Sequence, residues 1–204
     1  MQTFHFQATL LLLAGLTGSA LAVSSLAVSG VLPGAPIMLE GNCLESGDGY
    51  LRATLGDAID AKIDWPNSGT HCQGEPRDKP PGVRLSFQRV SGGSPDLLFV
   101  FGISGVREGK PAHAVGVNVT VIVQGANRIY GTLGDSRCTV DSLTQRPLKA
   151  KGAYRVEARG FCTQPAHAVH GKDAVLVSTF EFAGLVTYDR HSDDAKQSVP
   201  VIAK

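Results

Sequence analysis

The chain has 204 residues, with 19 basic and 18 acidic side chains and a formal charge of +1. Interleaved, nearly balanced charge gives no electrostatic reason to expect nucleic acid or an anionic membrane surface as a partner. The length suits one domain able to bury a real core, taking ~150 residues per domain.

No Asp, Glu, Lys or Arg precedes Glu40. Within that uncharged stretch, residues 9–16 form an apolar core of signal-peptide length, and Ser19-Ala20-Leu21-Ala22 supplies small residues where a signal peptidase reads. Residues 1–22 are therefore expected to be a signal peptide cleaved after Ala22. The segment before the core has no Lys or Arg, only His5. The alternative is an uncleaved anchor over Ala8 to Val31, since a span needs ~20 apolar residues. Gly15, Gly18 and the serines at 19, 24, 25 and 29 dilute such a span and favour cleavage. No cysteine stands at a lipidation position after the core. Residues 23–39, rich in Ser, Gly and Pro, read as a linker or N-terminal arm. The domain is expected over 40–189, followed by a polar tail at 190–204.

Between Leu51 and Trp65, Leu51, Ala53, Leu55, Ile59, Ala61, Ile63 and Trp65 fall on odd positions and Arg52, Thr54, Asp60, Lys62 and Asp64 on even ones. A period of two predicts a half-buried strand, broken near Gly56-Asp57. Leu51, Leu55, Ile59 and Ile63 also recur every four residues, so a helix is the rival reading, weakened by flanking glycines. Further along, Val83-Arg84-Leu85-Ser86-Phe87 alternates, residues 97–101 are an unbroken apolar run, and Val115 to Val123 alternates throughout. Gln124-Gly125-Ala126-Asn127 is a turn into residues 128–133, which predicts a hairpin. Residues 154–158 and 174–182 add strands, and 185–188 one more past Gly184. About seven to eight short strands with no long helix predict an all-β fold, an antiparallel β-sandwich or open barrel.

Four cysteines, Cys43, Cys72, Cys138 and Cys162, suit an oxidising compartment. They permit three connectivities. Local loop closure favours Cys43 with Cys72 and Cys138 with Cys162, each bridge worth roughly 3 kcal/mol in the chain-entropy model. No close C-x-x-C pair points to zinc or redox chemistry.

Catalytic motifs are sparse. Gly134-Asp135-Ser136 matches the Gly-Asp-Ser of one hydrolase family but stands late in the chain, in a β context beside a cysteine, and reads as a polar turn. Gly102-Ile103-Ser104-Gly105 misses the G-x-S-x-G elbow by one residue. Asn118-Val119-Thr120 matches a glycosylation sequon inside an alternating strand and reads as strand chemistry. Asp57, Asp60 and Asp64, with Lys62 and Arg52 beside them, read as an ordinary solvated face. Histidine supplies the one unexplained pattern. Pro111-Ala112-His113-Ala114-Val115 recurs as Pro165-Ala166-His167-Ala168-Val169, followed by His170. Two loops presenting His113, His167 and His170 from one sheet edge would suit Zn²⁺ or Cu²⁺, with Asp173 as the nearby carboxylate. The plainer reading is that Pro and His suit loop positions entering strands, with no cofactor at all.

The segments Asp64-Trp65, Cys72 to Arg77, Gly82 to Phe87, Phe99 to Ile103, Asn118 to Ile122, Cys138 to Asp141 and Gly160-Phe161-Cys162 carry a family likeness. Over about residues 43–188 the chain resembles a group of uncharacterised secreted proteins of Gram-negative bacteria. The resemblance implies a single exported domain and transfers no functional residue.

The expected protein is thus periplasmic or secreted, and its expected role is that of a non-enzymatic binding or structural module with a protein or glycan partner. The loops around Pro80-Pro81, residues 91–94, Lys110-Pro111 and 149–152 are the first surfaces to consider. The alternative is a metal-binding protein or a hydrolase that uses the loop histidines.

Overall fold

A computed structural model describes residues 41–89 and 96–188. The expected signal peptide, the linker arm, the polar tail and the loop at 91–94 lie outside the described residues.

Alternation of inward apolar and outward polar side chains governs nearly every described segment. Tyr50–Asp57 (β1) and Ala61–Pro66 (β2) form a hairpin, broken at Asp57, whose φ is 70°. The period of two therefore wins over the period of four between Leu51 and Trp65. Thr70–Asp78 (β3), Pro81–Arg89 (β4), Leu97–Ser104 (β5) and Ala112–Val123 (β6) follow as an antiparallel meander. Arg128–Gly131 (β7) returns along β6 from the expected turn, where Gly125 and Asn127 have positive φ. Cys138–Pro147 (β8), Ala153–Cys162 (β9), Ala166–Ala168 (β10) and Ala174–Thr187 (β11) complete the set.

Among the described residues, eleven strands thus join one antiparallel sheet and no helix occurs, more strands than the seven or eight expected. The surplus has identifiable sources. β1 and β2 are separate strands. β3, β8 and β10 fall where turns or loops were expected. In the other direction, residues 174–187 are one strand rather than two, because Gly184 does not interrupt it. An added Cβ at Gly184 would sit 2.8 Å from the Phe87 ring, so glycine there admits the aromatic core.

Two strands carry the connectivity. β6 pairs with β5 on one side and with both β7 and β8 on the other. β11 pairs with β1 on one side and with both β9 and β10 on the other. β6 and β11 are therefore linked by two routes, β8–β9 and β7–β10. β3 comes back against β11 without a ladder, so closely that a Cβ on Gly74 would lie 2.5 Å from the Leu185 carbonyl oxygen. The sheet consequently encloses its own core. Phe87, Phe99, Phe101 and Phe182 are fully buried there with Leu51, Leu55, Leu85 and Val119. Phe101 and Phe182 ring centroids are 4.9 Å apart, and Trp65 meets Phe99 edge-on at 5.4 Å.

Both expected disulfides are present. Cys43–Cys72 ties the segment before β1 to β3, and Cys138–Cys162 bridges directly opposed residues of β8 and β9. The Thr163 N–H donates to the Arg137 carbonyl beside the second bridge, which makes Cys138 and Cys162 a non-hydrogen-bonded pair. Such pairs hold side chains closest together across an antiparallel ladder.

Candidate functional site

Outward residues of β1, β2, β6, β8, β9 and β11 form a polar face opposite the aromatic core. Strand register lines them into one row: Asp64, Arg52, Glu181, Arg159, Ser142 and His113. Opposite charges in direct cross-strand positions attract, so the alternation stabilises the register. Arg52 Nε lies 3.2 Å from Asp64 Oδ1, and its Nη1 is 3.9 Å from Glu181 Oε1. Its guanidinium also stands 4.7 Å from the centre of the Tyr50 ring. The Tyr50 hydroxyl donates to Glu181 Oε1 at 2.6 Å. Burial, then that hydrogen bond to a carboxylate, pushes the Tyr50 phenol well above its ordinary range, so it stays protonated.

Both register irregularities recorded in the described ladders lie on this face. One, between Thr54 and Leu55 of β1, leaves Ser178 of β11 without an opposite residue. The other, between Val140 and Ser142 of β8, leaves Asp141 unpaired with β9. A bulge turns two successive side chains to one side. Here it adds Asp141 beside Ser142, and Ser178 beside Thr179, to the polar surface.

Arg159 stands between the bulges. On one side is a depression of about 220 Å³ lined by Ser142, Thr144, Glu157 and Glu181. On the other is one of about 470 Å³ lined by Thr54, Lys62, Asp141 and Thr179 among others. The Arg159 side chain is exposed, and its guanidinium donates no hydrogen bond and forms no ion pair to any described residue. Two positions along β9, Phe161 points the same way and is 37% exposed, opposite Thr139. A planar fork of donors, the carboxylates of Glu157, Glu181 and Asp141, four hydroxyls and an exposed aromatic ring can hydrogen-bond a polyol and stack on its C–H face.

The neighbouring end of the face is closed. Arg155, also on β9, has only 8% of its side chain exposed. Its Nη1 reaches Glu157 Oε2 at 2.5 Å, and its Nε lies 2.8 Å from Asp48 Oδ2, though off the N–H axis. Asp48 belongs to the segment tied down by Cys43–Cys72, and Asn67 Oδ1 accepts from the N–H groups of Leu44 and Gly49 to fix it. The Ser46 hydroxyl does most to hold the Asp48 carboxyl below the usual carboxylate range; burial opposes it, and the Arg155 charge adds a lesser lowering.

The histidines expected to gather do not form a metal-holding group. Among the described residues, no cluster of three or more His, Cys, Asp or Glu side chains could hold an ion. His167 pairs with Gly131, and Gly131 with Thr120 of β6. His113 precedes Thr120 by seven residues on that strand, roughly 23 Å at ~3.3 Å per residue. Asp173 is taken by Arg128 at 2.7 Å. The repeated Pro-Ala-His motif has a local cause: Ala112 and Ala166 are the buried first residues of β6 and β10, and each following histidine points outward. His113 and His167 therefore sit in strands, not loops, while His170 lies past the end of β10 in the connection to β11. Ser136 has no hydrogen bond to a histidine among the described residues, and the motif's Asp135 accepts from the Ser104 hydroxyl at 2.8 Å. Asn118 and Thr120 flank buried Val119 on the half-exposed side of β6, as strand alternation requires.

Of the group read as a solvated face, Arg52, Lys62 and Asp64 belong to the polar face, while Asp57 and Asp60 sit at the turn between β1 and β2. Arg159, Asp141, Glu181 and Phe161 carried no motif. The only signal for them in the sequence was outward parity on separate strands. No family model, curated protein or solved structure matches the chain.

Proposed function

We propose that the chain is an exported, non-enzymatic binding module whose polar sheet face takes a carbohydrate. Arg159 carries this reading: an exposed guanidinium without a partner among the described residues, set between two bulges and flanked by carboxylates, hydroxyls and the Phe161 ring. Two disulfides support an oxidising compartment, periplasmic or extracellular. The resemblance to secreted proteins of Gram-negative bacteria points the same way. The enclosed sheet is in these terms an open barrel, with one outer face as the binding surface. Shallow, hydroxyl-rich surfaces on rigid strands suit a ligand recognised by hydrogen bonds and ring stacking, and need no nucleophile.

Screening the purified protein on an immobilised glycan array, followed by titration of the best soluble oligosaccharide, tests the reading. Arg159→Ala should weaken binding about tenfold or more, the cost of a lost charge-assisted hydrogen bond, and Phe161→Ala should weaken it as well. A wild-type protein that binds no glycan, or an Arg159→Ala variant that binds like wild type, overturns it.

A further inference from the structure

The β2 edge offers a surface of a different kind. β2 pairs with β1 on one side, and its other edge has no ladder partner among the described residues. The isolated bridge between Asn42 and Ser68 lies just past its end. Lys62, Asp64 and Pro66 point outward, while Ile63 is half-buried and Trp65 is buried. A lysine on a free edge ordinarily discourages pairing with another strand. In this strand one register reverses that effect.

We propose that a second copy of this chain pairs with the β2 edge, antiparallel and centred on Ile63. A two-fold axis at Ile63 sets Lys62 of each copy opposite Asp64 of the other, Ile63 opposite Ile63, and Ala61 opposite Trp65. Side chains of one face stay on that face, because directly opposed residues in an antiparallel pair share a side. Centring on Lys62 or Asp64 would oppose like charges, and a shift of one residue would turn the apolar side outward.

The charge row described above selects the same register. Within one copy it runs Asp64, Arg52, Glu181, Arg159. Lys62 of the second copy would extend it beyond Asp64 with the required sign. Lys62 has no ion pair with any described residue, and Arg52 approaches Asp64 at Oδ1, leaving Oδ2 to receive it. Asp64 is 77% exposed at its side chain, so an ammonium can reach it. The two ion pairs sit at the rim and choose the register, and the backbone ladder supplies the attraction. Self-association should weaken as salt screens the rim.

Sedimentation across a concentration series tests the proposal. The wild type should shift from monomer towards twice the monomer mass, less so at high salt. Lys62→Asp should weaken dimerisation roughly tenfold or more, because two attractive contacts become two repulsive ones, while thermal stability measured at a concentration where both proteins are monomeric stays at the wild-type value. Mixing Lys62→Asp with Asp64→Lys should restore a dimer containing one of each, since each variant then meets opposite charges. A wild type that is monomeric throughout, a Lys62→Asp variant that dimerises like wild type, or a mixture that stays monomeric overturns the proposal.

Discussion

Arg155 and Arg159 stand four residues apart on one side of β9, and the fold treats them in opposite ways. Around Arg155, a disulfide-anchored segment folds over the strand and surrounds the guanidinium with Asp48 and Glu157. Around Arg159, two bulges turn extra polar side chains to the surface, yet none engages it. A buried charge needs its partners, whereas an exposed one is satisfied by water and can exchange that water for a ligand. The same residue type therefore serves cohesion at one position and recognition at the next.

The largest expected effect comes from opening the closed end. Replacing Cys43 and Cys72 together with serine should cost about 3.6 kcal/mol, the loop-closure contribution of a bridge spanning 29 residues, read as a lower denaturant midpoint. Arg155→Ala comes next. Breaking a fully buried pair costs ~3–5 kcal/mol, and because both carboxylates are nearly half exposed, about 2 kcal/mol is expected at neutral pH. That difference should narrow in acid. A carboxyl held below its ordinary value stabilises the fold above that value and loses the contribution as the pH falls through its folded value. Unfolding measured from neutral pH down past the ordinary Asp value near ~4 should show the wild type losing its advantage over Arg155→Ala. Arg159→Ala should change stability by less than about 0.5 kcal/mol, as at other exposed positions. A large loss there would mean that Arg159 belongs to the cohesive set, and the contrast would fail.

Much of the fold could be read from the residues. β5 and β6 announce themselves by an apolar run and a strict alternation, and the β6–β7 turn by Gly125 and Asn127. β3 was hidden because its inward positions are Thr70, Cys72 and Gly74, of which Gly74 must be small to clear β11. β8 was hidden because its bulge shifts the inward parity from Val140 to Leu143, which breaks any period of two. β10 is three residues long and has no period to show. The disulfide pairing was legible because each bridge closes a local loop. The polar face was not, since Arg52, Asp141, Arg159 and Glu181 come from four strands and meet only through register.

β11 sets a timetable for the molecule. At 14 residues it is the longest strand described, and the Tyr50 hydroxyl at the start of β1 finds Glu181 only across 131 residues of chain. Pairings so remote in sequence form late, after the entropy of closing the intervening loop has been overcome. The meander from β3 to β6 can assemble from neighbours as it is made, but β1 and β9 have no shared neighbour until the final strand arrives. Until then the edges that β1 and β9 offer to β11 stay unpaired, and a chain halted before residue 174 would present them to any passing strand.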